Sequence, residues 1–151
     1  MNTLETTIIK HPFLKTMRSD HLVHMLKNAK EQDFQPGEII FRQGDPANSF
    51  YLIESGKTLI ESHDEKMSVP IQVIRQGEAL GWSWLFPPFA WHFQARAIEP
   101  THAIVLDGAH LLVTAEEDSE FGYELMKRIT QILIERLQAG EKHAKGLENV
   151  F

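Results

Sequence analysis

The feature that most constrains this chain is the punctuation of its middle. Between residues 34 and 107, short runs of β-branched, aromatic and alternating residues are broken by Gly and Pro at close intervals. Runs at 38–42, 50–54, 57–62, 69–75, 93–98 and 102–106 each have strand length, and Pro36-Gly37, Gly44-Asp45-Pro46 and Ser55-Gly56 supply turns between them. Short strands so spaced predict a jelly roll, sandwich or barrel.

The flanks keep a different period. Phe13, Leu14 and Met17, then Leu22, Met25, Leu26 and Ala29, recur at helical spacing and predict two short helices, with Ser19 or Asp20 capping the second. From Ser119 onward the pattern is helical again. Asp118 or Ser119 is its expected cap, and Leu125, Ile129, Ile132, Leu133 and Leu137 form an apolar stripe that thins at Gly140 and Ala144 and resumes at Leu147. The expected fold is α+β. It is a single domain over 1–151, with N-terminal helices in 1–30, a jelly-roll β-roll in 31–110 and a long C-terminal helix in 119–151.

Composition removes several function classes. The formal net charge of −6 disfavours a phosphate-backbone binder, so no direct nucleic-acid contact is expected. The absence of cysteine excludes thiolate catalysis and Cys-ligated zinc. No leader pattern opens the chain and no apolar run approaches the roughly 20 residues that span a bilayer, so the expectation is a cytoplasmic protein without membrane contact.

Residues 34–56 read F-Q-P-G-E-I-I-F-R-Q-G-D-P-A-N-S-F-Y-L-I-E-S-G. This resembles the opening β-roll of the cyclic-nucleotide-binding domain family, which includes catabolite-activator-type transcription factors, kinase regulatory subunits and nucleotide-gated channels. Gly77-Glu78-Ala79-Leu80-Gly81 resembles the family's entry to its phosphate-binding cassette, and Ala95-Arg96-Ala97 resembles the strand that leaves it. The resemblance implies a double-stranded β-roll and a C-terminal helix through which such domains pair, hence a homodimer. Transcription factors of this type carry a further helix-turn-helix after that helix. None is legible here, which agrees with the charge.

The resemblance also implies what the cassette lacks. In the family a Glu after the cassette glycine binds the ribose, and an Arg followed by a small residue pairs with the phosphate. Matching forward from Gly81 puts Trp82 in the place of the Glu. Counting back from Ala97 puts Trp91 in the place of the Arg, and His92 after it. The candidate ligand-binding residues are therefore Gly81, Trp82, Ser83, Trp84, Trp91, His92 and Phe93. A hydrogen bond to a charged group is worth roughly 1.5–3 kcal/mol, so losing both anchors lowers affinity by about 10² to 10⁴. Cyclic-nucleotide binding is expected to be weak, and no other cofactor is expected. The family's hydroxyl contacts to the base would fall at 139–141, where no hydroxyl occurs. Arg75 and Arg96 are the nearest cations that can substitute, and alternation alone leaves their direction open.

Two readings of the aromatics Trp82, Trp84, Phe86, Phe89, Trp91 and Phe93 compete. One is a hydrophobic plug in a pocket that has stopped binding nucleotide. The other is an aromatic-lined pocket for a different small ligand, with His92 as its polar handle. His21 and His24, at i and i+3, have a metal-compatible spacing, but a solvated helix face is the expectation. A metal-dependent cupin needs a His-x-His that the sequence lacks. Glu61, Asp64 and Glu65 are expected to be solvated residues of a hairpin tip. No nucleophile–base pair or triphosphate loop is present, so no catalytic or metal residue is assigned. The expected role is a regulatory module that responds to a ligand or binds a protein partner.

Overall fold

The computed structural model describes residues 3–148, with side chains from 5 to 139. The chain divides into two compact units, 1–114 and 115–151.

The first unit opens with helices α1 (Thr3–Ile8) and α2 (Ser19–Leu26). Eight strands follow: β1 (Lys30–Phe34), β2 (Ile39–Phe41), β3 (Ser49–Ser55), β4 (Lys57–His63), β5 (Ser68–Arg75), β6 (Ala79–Leu80), β7 (Gln94–Ala97) and β8 (Thr101–Asp107). They form two four-stranded antiparallel sheets, ordered β1-β8-β3-β6 and β2-β7-β4-β5. Consecutive strands repeatedly belong to different sheets, which is the jelly-roll winding that the turn spacing predicts.

The Gly-Glu pairs of the sequence acquire a physical reason. At 35–38 and again at 75–78 the third residue is a glycine with positive φ (Gly37 +91°, Gly77 +85°). The closing glutamate folds back in both turns: Glu38 accepts the Gln35 N–H at 3.0 Å, and Glu78 accepts the Arg75 N–H at 2.9 Å. Each turn thus needs a residue free to take positive φ, followed by a carboxylate to satisfy the backbone it exposes.

The core follows the period-two alternation of β3. Tyr51 faces the opposite sheet, with its ring 5.9 Å from that of Phe41. Phe50 points the other way, 5.1 Å and edge-on to Phe13 of the N-terminal segment. Asp107 ends β8 and caps α3 (Gly108–Glu117) by accepting the His110 N–H at 3.1 Å.

The second unit is dominated by α4 (Ser119–Glu148). Asp118 caps it as expected, accepting the Phe121 N–H at 3.2 Å. Phe121, Leu125 and Ile129 are buried, whereas Leu133, Ile134 and Leu137 are exposed. The expected apolar stripe is therefore buried only in its first part. Gly140, Ala144 and Leu147 lie outside the described side chains. Among the described residues, no helix is long and apolar enough to cross a membrane.

Several expectations need correction. Phe13, Leu14 and Met17 are buried but lie in the turns and irregular chain after α1, because their spacing reports burial rather than helix. Arg18, not Ser19 or Asp20, occupies the cap of α2, and the Asp20 carboxylate is instead bound by the Arg18 guanidinium. His21 is 2% exposed, so it is not part of a solvated face.

Candidate functional site

The stretch between β6 and β7 is a loop threaded across the roll, and its main chain is pinned to the corner before β3. Gly44 N–H donates to the Trp91 carbonyl at 2.8 Å, and Trp91 N–H donates to the Asp45 carbonyl at 2.9 Å. Ala47 N–H donates to the Phe89 carbonyl at 2.7 Å, and Ala90 forms an isolated bridge with Pro46. The loop opens at Gly81, whose φ of +86° suits glycine. A single 3₁₀ turn (Ser83–Leu85) follows, preceded by Trp82, and Leu85 N–H closes it onto the Trp82 carbonyl at 3.0 Å.

The structure separates the candidate aromatics into three environments. Trp84 is 1% exposed. Its indole N–H donates to the Gly81 carbonyl at 2.8 Å, and its ring lies 5.5 Å from that of Phe50, on the N-terminal side of β3. Gly108 admits it, since a Cβ there would stand 2.7 Å from the indole. Trp91 is 5% exposed and lies on the opposite face of β3, between the sheets. It stacks on Phe41 with centroids 3.8 Å apart and planes 12° apart, and its ring is 6.5 Å from that of Tyr51. A Cβ on Gly81 would stand 2.8 Å from the Trp91 ring, so the two residues fit only as glycine against indole. Phe86, Phe89 and Phe93 are exposed, and Trp82 is half-buried.

The polar candidates lie at the surface. Ser83 Oγ and His92 Nδ1 are 3.1 Å apart and join the two ends of the loop. Neither nearby arginine reaches the loop interior. Arg75 is exposed at the end of β5. Arg96 projects from β7 onto Glu61 of β4, with Nε to Oε1 at 3.2 Å. Gln94 donates to the same oxygen at 2.9 Å. Glu61 is 3% exposed, which corrects its placement at a solvated tip. The Arg96 hydrogen bond holds the Glu61 carboxyl below the usual carboxylate range, against the opposing effect of burial and with help from Gln94. Asp64 does sit in the hairpin tip, where it accepts the N–H groups of Lys66 and Met67 at 2.9 Å each. Among the described residues, no group of three or more His, Asp or Glu side chains is placed to hold a metal ion.

The class these features define is a double-stranded antiparallel jelly roll, flanked by helices, with a short turn-bearing loop between β6 and β7. The family model for the cyclic nucleotide-binding domain matches residues 31–118, and this chain belongs to that family. It is 25% identical over 127 residues to a putative potassium channel protein of Rhodopseudomonas palustris, a match spanning 83% of this chain and 29% of that protein. The chain thus spans under a third of the length of the curated relatives it matches. In fold it is similar to a putative cyclic nucleotide-binding protein of Geobacter metallireducens, with TM-score 0.80 and 21% identity over 91% of this chain and 99% of that one. It is also similar to the sensor domain of the transcriptional regulator DNR of Pseudomonas aeruginosa, with TM-score 0.70 and 17% identity over 89% and 91% of the two chains.

Proposed function

We propose that this chain is a non-catalytic regulatory module whose cassette has given up tight cyclic-nucleotide binding and uses aromatic packing to hold its loop. The observation that carries the reading is the stack of Trp91 on Phe41 at the position where the family resemblance puts the phosphate-binding Arg. Burying an indole removes about 200 Å² from water, or about 5 kcal/mol as an upper figure. A ligand that needs this space must displace the ring, and a single charged hydrogen bond, at about 1.5–3 kcal/mol, does not offset that cost. Arg96 is engaged by Glu61, so it does not replace the missing cation.

Calorimetry with cyclic AMP and cyclic GMP tests the reading. No dissociation constant at or below about 1 μM is expected. The double variant Trp82→Glu, Trp91→Arg is expected to gain a measurable response to millimolar nucleotide. Tight binding by the wild type overturns the proposal.

A second reading is favoured by the exposure of Phe86, Phe89 and Phe93 on the same loop that carries the Ser83–His92 pair. In it the loop presents an aromatic surface to a different small ligand. Since all three tryptophans lie in or beside this loop, saturable quenching of intrinsic fluorescence by that ligand is the expected signature. On either reading the module works in the cytoplasm and pairs through α4, whose Leu133, Ile134 and Leu137 are exposed.

A further inference from the structure

His11 lines a groove of about 550 Å³ between the N-terminal segment and the roll, together with Lys10, Pro12, Ile53, Glu54 and Gly77. The residue is 5% exposed. Both ring nitrogens are committed: Nε2–H donates to the Ile53 carbonyl at 3.1 Å, and Nδ1 accepts the Phe13 N–H at 3.1 Å. A nitrogen that accepts from an amide carries no proton. The arrangement therefore exists only for the neutral ring with its hydrogen on Nε2. A proton added to Nδ1 would set two N–H groups against each other in a buried place.

Two lines connect this ring to the cassette. The Ile53 carbonyl also takes the Gly77 N–H at 2.8 Å, and Ile53 N–H donates to the Glu78 carbonyl at 2.9 Å, so His11 fastens the N-terminal segment to the turn that precedes β6 and Gly81. The other line runs through rings, from Phe13 to Phe50 at 5.1 Å and from Phe50 to Trp84 at 5.5 Å.

We propose that His11 is a proton-operated clip: neutral, it holds the N-terminal segment against β3 and the cassette entry, and protonated, it releases that segment and loosens Trp84. The inference rests on the fold and is independent of what the cassette binds. Burial pushes the His11 pKa below 6.5, against the backbone hydrogen bonds to Ile53 and Glu78. A base whose folded pKa lies below its unfolded value contributes fully at high pH, and that contribution is lost as pH falls from the unfolded pKa toward the folded one. Of the charged residues nearby, Lys10 on its own segment and Glu54 on β3 line the same groove, whereas the turn offers the ring the Glu78 backbone, the Glu78 carboxylate being occupied by the Arg75 N–H. Burial pushes the Glu54 carboxyl up, so it sheds its charge as the medium acidifies. Elsewhere in the roll His102 has the opposite sense. Burial opposes its protonation, but hydrogen bonds to Asp33 and Glu31 prevail and raise its pKa. The effect must therefore be read at His11 itself.

NMR of the full chain between about pH 8 and pH 5 follows the His11 ring, the Phe13 amide and the Trp84 indole N–H. His11 is expected to titrate below 6.5. With the same midpoint, Phe13 protection should fall about tenfold or more, and the Trp84 signal should shift. In His11→Gln, which keeps a donor and an acceptor and never charges, neither probe should respond. Titration of His11 at or above its ordinary value, or equal Phe13 protection on both sides of it, overturns the proposal. If His11→Gln does not fold, the wild-type ring decides: a proton on Nδ1 at about pH 8 overturns the clip, and one on Nε2 with Phe13 responding supports it.

Discussion

Trp91 and Phe41 lie face to face, 3.8 Å between ring centroids and 12° between planes, and join the β6–β7 loop to the second sheet. Removing the indole empties a space that the surrounding strands cannot close. Trp91→Ala is expected to lower the stability of the roll by about 3–5 kcal/mol, and Trp91→Phe by clearly less. Urea unfolding of the two variants at neutral pH checks this, and equal stabilities would place the ring outside the core. Gly81→Ala should also destabilise, since it adds a Cβ 2.8 Å from the Trp91 ring at a φ of +86°.

Pairing through α4 makes a separate prediction. Leu137 is 67% exposed and Leu133 40%, an arrangement that suits a helix covered by a second copy. The wild type is expected to sediment as a dimer at micromolar concentration. Leu133→Lys with Leu137→Lys should give a folded monomer, because neither side chain is buried in the single chain. A monomeric wild type rules out this pairing.

Glu61 supplies a pH-dependent term. Its folded pKa lies below the unfolded value of 4.5, chiefly through the Arg96 hydrogen bond. The stability it contributes is present above 4.5 and is lost as pH falls through the lowered folded value. Arg96 is partly exposed, which screens the pair, so Glu61→Gln should cost only about 1–2 kcal/mol at pH 7. The variant should also lose less stability than the wild type between about pH 6 and pH 3.5. Parallel acid limbs in the two proteins would show that Glu61 titrates normally.

How much of this was legible depends on whether a signal is local. The strands β2 to β5, β7 and β8 were readable to within a residue or two, because alternation and positive-φ glycines are written in neighbouring residues. β1 was not. Its K-E-Q-D-F has a single buried position, and what makes it a strand is its ladder with β8, set by residues some seventy positions away. Glu61 was misread for the same reason, since its partners Gln94 and Arg96 are 33 and 35 residues further on. The aromatic cassette was visible as a composition. Its division was not, because whether an indole goes to the Phe13 side or the Phe41 side of β3 is decided by Gly81 and Gly108, glycines that sequence alone does not tie to either ring.

The backbone of Trp91 makes two hydrogen bonds to the corner at Gly44 and Asp45, and neither involves its side chain. Position 91 is therefore a socket: the main chain fixes its address, and the side chain is only its present tenant. Under the proposed reading, a cation and an indole could exchange at this address without redrawing the loop around it, since the hydrogen bonds that hold the loop to the corner are made by the main chain.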